Sequence, residues 1–144
     1  MNVTFLLQYT MSFFTTLFII TFVLKIPYYI TNQHALIQEY YGKYFLTNIP
    51  LDFILVLIYL QIAYFVMNQL KVKEQLYKLG IVILTTICLT GGFCFYYRSL
   101  PMDSSFFSRW FHQAGYNSVL YDVILLLFVF LGIEYLNKNH YIKI

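Results

Sequence analysis

The chain has 144 residues, of which 60% are hydrophobic and 10% are charged, whereas charged residues make up about 25% of an average soluble domain. The formal net charge is +3, from nine Lys and Arg and six Asp and Glu, and these charges are scattered. The composition excludes a disordered chain, a coiled coil and an ordinary soluble enzyme. The lack of a basic run argues against nucleic-acid binding. A small multi-pass membrane protein remains.

Residues 3–24 form the first apolar segment, which carries no charge. A helix of this length crosses the hydrocarbon core of a bilayer, and the segment is too long for the core of a signal peptide. Lys25 and Pro27 end it. The next residues, 25–49, are mixed and rich in tyrosine, a side chain that favours the membrane–water boundary.

The second span is predicted over residues 51–70. Asn48 shortly before Pro50 is typical of a helix start with the proline in the first turn. Asp52 then also lies in the first turn, where a carboxylate interacts favourably with the helix dipole. The link to the next span, residues 71–78, is short, so we expect the second and third spans to be antiparallel neighbours.

Residues 79–97 form the third predicted span, which contains both cysteines, Cys88 and Cys94. Six residues apart, they lie about 240° round a helix, so they cannot form a disulfide within the span and two small buried side chains are expected. Small residues follow one side of this span with the spacing i, i+3, i+7, and we expect them to let another helix pack closely: Thr85, Cys88 and Gly92, with Gly91 adjoining.

A short amphipathic helix is predicted over about residues 103–114, between the third and fourth spans. An Asp or Ser at its start is a suitable cap, and Gly115 is a natural C-terminal stop. Arg109 and His112 fall on its polar side and should face water or acids. A helix that binds a partner protein is the alternative. Four aromatic residues share the other side, as expected of anchors in the membrane interface: Phe106, Phe107, Trp110 and Phe111.

The fourth span, residues 117–136, holds two acids, Asp122 and Glu134. The helix between them is roughly 18 Å long, while the hydrocarbon core is about 30 Å thick, so the two acids cannot both lie outside it on opposite sides. Lys138, one turn beyond Glu134, is the expected partner of that acid. Asp122 has no such neighbour on its own helix.

Asp122 is expected roughly 10 Å inside the span, where an unpaired acid costs on the order of 3 kcal/mol. We therefore predict that it faces the bundle and contacts an arginine, because a guanidinium can reach inward and pair through two hydrogen bonds. Arg98 is the first candidate and Arg109 the second. With Asp52 at a similar depth, these residues form a predicted intramembrane polar layer. Four spans place both chain ends on one side, and the positive-inside count leaves the orientation open.

Three functions are compatible with such a layer. The charged residues can fix helix register in a structural protein, or they can mark a transport or proton-relay pathway. An enzyme is disfavoured, since the sequence has no zinc-ligand spacing, phosphate-binding loop or nucleophile–base motif, and His112 is the one plausible base on this side. We therefore predict a structural, non-enzymatic membrane protein without a cofactor. It should pack against lipid and other membrane proteins, as an oligomer or a complex subunit.

Three stretches of the sequence resemble an uncharacterised family of short multi-span membrane proteins of large nucleocytoplasmic DNA viruses, of the phycodnavirus and mimivirus kind. They are TNIPLDFILVLIYLQIAYFV (47–66), LTTICLTGGFCFYYRSLP (84–101) and SFFSRWFHQAGYNSVLYDVILL (105–126). The resemblance implies a viral membrane protein in the lipid layer beneath a capsid, with capsid proteins among its partners. The Phe-, Tyr-, Ile- and Asn-rich composition suits an AT-rich genome, and it suits an accessory subunit of a respiratory complex in the mitochondrial inner membrane equally well.

Overall fold

The computed structural model describes residues 1–139 of the chain. This part folds into helices: α1 (Val3–Leu17), which continues as a π-helix over Phe18–Val23, α2 (Ile26–Thr31), α3 (His34–Gln38), a π-helical turn over Glu39–Lys43, α4 (Phe45–Gln69), α5 (Gln75–Ser99), α6 (Phe106–Gln113) and α7 (Tyr116–Lys138). Four helices are long and apolar enough to cross a membrane: Val3–Val23, Phe45–Gln69, Gln75–Ser99 and Tyr116–Lys138. The predicted all-α, multi-pass membrane fold is confirmed, and α6 is the predicted short helix between the third and fourth spans. The short helices α2 and α3 are additions to the prediction.

The first span begins at an N-cap and ends at a left-handed residue. The Asn2 side chain accepts a hydrogen bond from the Phe5 amide at 2.8 Å, which satisfies one of the free amides of the first turn. Lys25 has a φ of 52° and stops the helix. The first span therefore covers Val3–Val23, against a predicted range of 3–24, and a difference of one residue is within the ordinary uncertainty of a helix end.

The segment between the first two spans folds back onto the bundle. Lys25 and Asn32 both adopt left-handed backbone conformations, with φ of 52° and 54°, and these two turns redirect the chain. Ile37, Tyr40 and Tyr41 are buried as a result. The two tyrosines thus belong to the core at this end of the bundle instead of lying exposed at the membrane boundary.

The second span starts at Phe45, earlier than predicted, and Pro50 lies inside α4 instead of in its first turn. Because proline lacks an amide proton, Pro50 cannot donate the helical hydrogen bond to the Leu46 carbonyl. Leu46 lies at the exposed start of the helix, where its residue is 87% exposed, so the loss of this hydrogen bond is tolerated there. The earlier start also corrects the position of Asp52. It lies about two turns into the helix, roughly 10 Å from Phe45 along the axis.

The four spans form a closed bundle. α7 packs against both α5 and α1, and α4 packs against α5, while α1 and α4 meet through rings such as Phe13 and Phe53, whose centroids are 5.3 Å apart. The Ser12 hydroxyl donates a hydrogen bond to the Val129 carbonyl at 2.7 Å. Ser12 also occupies the space that a Cβ on Gly132 would need. Glycine at this position is therefore required for the close approach of α1 and α7.

The short helix α6 follows a tight capped turn. The Ser105 hydroxyl accepts a hydrogen bond from the Ser108 amide at 3.4 Å, and the Asp103 carboxylate accepts one from the Ser105 amide at 2.7 Å. Hydrogen bonds from Ser105 hold the pKa of Asp103 below its ordinary value. Gly115, with a φ of 58°, separates α6 from α7, so α6 crosses the end of the bundle against α5 and α7.

Candidate functional site

A cavity of about 260 Å³ lies where α6 crosses the end of the bundle. Side chains of α4, α5 and α7 form its walls, Tyr40 and Tyr41 contribute from the segment that folds back, and α6 covers it. Most of its surface is aliphatic or aromatic, with Tyr59, Phe93 and Trp110 among the rings. A largely apolar cavity with a few polar groups is the usual form of a small-molecule binding site.

Two carboxylates, Asp52 of α4 and Asp122 of α7, line this cavity. The Tyr40 phenol donates a hydrogen bond to Asp52 Oδ1. The Thr90 hydroxyl donates one to Asp122 Oδ2 at 2.7 Å, and its oxygen lies 3.2 Å from Tyr59 Oη. The second oxygen of each carboxylate receives no hydrogen bond from any described residue. Each acid therefore presents one free acceptor atom at the cavity.

The prediction that Asp122 pairs with an arginine is wrong. Arg98 is exposed at the end of α5, with its guanidinium carbon 5.4 Å from the centre of the Tyr116 ring. Arg109 pairs with Glu39 instead, and neither arginine lines the cavity. The physical reason is that Arg98 keeps most of its hydration outside the bundle, which it would lose in a buried pair. Of the four residues predicted as a polar layer, the structure brings only the two aspartates together.

Arg109 on α6 forms a two-armed ion pair with Glu39. Nη1 lies 2.9 Å from Oε2 and Nη2 lies 2.7 Å from Oε1. The hydrogen bonds from the guanidinium hold the pKa of Glu39 below its usual value. The side chains are 29% and 21% exposed, so water screens the attraction. The pair fastens α6, the cover of the cavity, to the segment that carries Tyr40.

The aromatic face of α6 packs on the bundle, while its predicted contact with lipid headgroups or a partner protein stays a prediction. The Phe106 ring centre is 4.9 Å from that of Tyr40, and Phe111 stacks on Tyr97 with centroids 5.4 Å apart. Phe111 is buried and the other three rings are half-buried. All four predicted anchors line the cavity: Phe106, Phe107, Trp110 and Phe111.

Sequence reasoning missed the Tyr40 and Tyr41 hydroxyl groups of the site. Burial raises the pKa of the Tyr40 and Tyr41 phenols well above the ordinary value, and the neighbouring Asp52 carboxylate raises it further. Both phenols therefore stay protonated and available as donors. Tyr41 Oη lies 2.6 Å from Tyr121 Oη. A signal was present, because Leu36, Ile37, Tyr40 and Tyr41 recur at helical spacing and mark one apolar face.

The third span packs through a different face from the predicted one. Its buried residues recur every four positions: Val82, Thr86, Thr90 and Cys94. The predicted packing residues turn away from the bundle, with Cys88 and Gly92 exposed and Thr85 and Gly91 half-buried. A Cβ at Gly91 or Gly92 would meet no atom within 4 Å. The expectation that both cysteines are buried is therefore correct for Cys94 and wrong for Cys88.

The opposite end of the bundle carries its own polar groups. Glu134 pairs with Lys78 at 3.5 Å, not with Lys138 as predicted, because the start of α5 lies beside the end of α7. Fully buried side chains that do not line the cavity fill the rest of the bundle interior: Tyr9, Phe13, Leu60, Val129 and Phe130. The cavity lining therefore stops short of these side chains.

No protein-family model, curated protein or solved structure matches the chain. Its function has to be inferred from the chemistry of the site. The 139 described residues contain no group of three or more His, Cys, Asp or Glu side chains able to hold a metal. His112, the one base that the sequence suggested, lies outside the cavity lining, with its ring nitrogens 2.8 and 3.0 Å from the Ser108 and Leu100 carbonyl oxygens.

Proposed function

We propose that this chain is a multi-pass membrane protein that binds a small amphipathic molecule in the cavity beneath α6. One observation carries the proposal: the cavity combines aromatic walls with two carboxylates that have no charged partner among the described residues. A protein that needed these helices only for packing would gain by filling such a space with apolar side chains, because voids and unpaired acids both reduce stability.

The size of the cavity supports a ligand larger than water. An engineered apolar cavity of about 150 Å³ takes up benzene, so a volume of about 260 Å³ accommodates a ring with a short chain. The aromatic face of α6 and the ring of Tyr97 enclose it on the water side. Removal of apolar surface from water, together with a few polar contacts, is the usual basis of affinity in such sites.

Binding is favoured over conduction by the extent of the cavity. Its lining includes neither the fully buried Tyr9, Phe13 and Leu60 nor the Lys78–Glu134 pair of the other end. A transporter would need a path past these buried side chains. The Tyr9 phenol donates to the Phe53 carbonyl, so this hydrogen bond does not link the polar groups of the two ends.

The test uses Trp110, which is the single tryptophan of the sequence and lines the cavity. Titration with phenylbutanol in an uncharged detergent should change Trp110 emission saturably and raise the unfolding temperature, because a ligand that binds only the folded state stabilises it. Leu55→Phe, which adds volume inside the cavity, should abolish the effect. Leu57→Phe, on the same helix but outside the cavity lining, is the matched control. Equal responses of the two variants would contradict the proposal.

A structural role in a larger assembly is the second candidate. The outward face of α5 favours it, since Cys88 and Gly92 are exposed there and small residues let a second helix approach closely in lipid. For this role the sequence resemblance suggests a viral inner membrane or virion, with the mitochondrial inner membrane as the alternative. A structural subunit should be abundant and stoichiometric in purified particles or complexes when quantified by mass spectrometry. Its absence from them would remove this candidate.

A further inference from the structure

We infer that the ligand is a cationic amphiphile, a protonated amine held between Asp52 and Asp122 with its apolar part against the aromatic walls. This inference rests on the proposed function and names the ligand class of the same cavity. It adds a charge requirement that an apolar cavity alone does not impose. The observations behind it are the unpaired acids, the rings around them and the shape of the enclosed space.

The acids provide the first argument. The ion pairs among the described residues join Lys78 to Glu134 and Arg109 to Glu39, so no cation from this part of the chain pairs with Asp52 or Asp122. Each accepts one hydroxyl hydrogen bond, and each has one oxygen with no donor. An ionised carboxylate in surroundings of low dielectric constant is costly unless it is paired. An ammonium group has several N–H donors and a positive charge, so it satisfies both free oxygens.

The rings provide the second argument, independent of the first. Tyr59, Phe93, Tyr97 and Trp110 surround the space beside the acids. The faces of aromatic rings are electron-rich, and they attract ammonium groups more strongly where water is excluded. An anionic ligand would meet repulsion from the carboxylates and from the ring faces together. A neutral ligand would use the apolar walls, and its hydroxyl could donate one hydrogen bond, but it would leave the charge of the carboxylates uncompensated.

The chemistry of the walls also sets the form of the ligand. The two acids come from α4 and α7, whereas α6 contributes only aromatic side chains to the lining. A molecule with one charged end and one apolar end fits this separation. A short amine with a terminal ring, of the phenylalkylamine kind, fits a volume of about 260 Å³. A dication would place its second charge against the rings of α6, away from any acid of the cavity.

The experiment compares three probes that share one apolar part: phenylbutylamine, phenylbutanol and phenylbutyrate. Each is titrated into the full chain in an uncharged detergent at neutral pH, with Trp110 emission and the unfolding temperature as readouts. The amine should bind on the order of tenfold more tightly than the alcohol, because close charge pairs contribute at least that much at buried sites. Phenylbutyrate should bind most weakly.

Matched variants assign the effect to the cavity. Asp52→Asn and Asp122→Asn should each weaken amine binding by about tenfold and should weaken alcohol binding clearly less. Glu134→Gln removes an acid from the other end of α7 and should alter neither. The wild-type comparison of the three probes needs no variant, so a variant that fails to fold leaves the test intact.

The outcomes separate the two proposals. Equal affinity for amine and alcohol, or tighter binding of the anion, would overturn the cationic ligand while the cavity remains a binding site. A loss of amine affinity in Glu134→Gln equal to that in Asp122→Asn would likewise overturn it, since the effect would be one of overall charge. Failure of all three probes to bind saturably would overturn the proposed function itself.

Discussion

Replacing Asp122 by leucine should stabilise the folded protein. An acid inside a membrane span costs on the order of 3 kcal/mol, and a hydrogen bond to a charged group, here from Thr90 at 2.7 Å, returns about 1.5 to 3 kcal/mol. Leucine removes this cost and buries apolar surface against the cavity. Thr90 is not orphaned by the change, because Tyr59 Oη lies 3.2 Å away. The expected gain is about 1 to 2 kcal/mol.

The free energy of unfolding can be measured by titrating micelles of the purified chain with a denaturing detergent and following helix content. Asp122→Asn should lie between wild type and Asp122→Leu, since the amide still accepts from Thr90. Glu134→Gln is a control that should lower the free energy of unfolding instead of raising it. It removes the charge partner of Lys78 and should cost up to about 1 kcal/mol. A loss of about 2 kcal/mol or more in Asp122→Leu would mean that the acid is a structural pair, and the reasoning would fail.

Two further predictions concern the bundle and its cover. Gly132→Ala should destabilise the fold by about 1 to 3 kcal/mol through overpacking against Ser12. Gly92→Ala should be neutral or stabilise the fold by up to about 1 kcal/mol. Unfolding of both variants in denaturing detergent checks this, and equal stabilities would contradict the close approach of α1 and α7. The pKa of Glu39 is lowered by Arg109, so the stability from their pair is complete above the ordinary value of 4.5 and disappears as the pH falls through the lowered pKa. Trp110 emission should report looser docking of α6 in that acid range, and Glu39→Gln should show the loose state at neutral pH; a variant that matches wild type throughout would refute the role of the pair.

Hydropathy and length were sufficient to locate the four spans, because a bilayer imposes a minimum length and low charge on each. The start of α4 was missed since Pro50 is typical of a first turn, and only the tertiary structure shows that the helix tolerates it inside. This one error also shifted Asp52, which lies about two turns inside α4 and lines the cavity.

The partner of Asp122 could not be predicted for a different reason. Sequence spacing gives the depth of a residue along a helix, but the rotation of the helix decides which side chains meet. Two faces of α5 carry side chains of similar size and polarity. One face is buried and runs through Thr86 and Thr90, and the other is exposed and runs through Cys88 and Gly92. In lipid the outward face is as apolar as the packed one, so composition does not distinguish them.

The most direct test of the central claim is photolabelling of the full chain in micelles with a diazirine-bearing phenylbutylamine, followed by peptide mapping. The account predicts labels on the cavity lining, at Leu55, Phe93, Trp110 and Leu125, which excess phenylbutylamine removes. Labels spread over exposed positions such as Phe65 and Phe128, with no effect of the competitor, would contradict a binding cavity beneath α6.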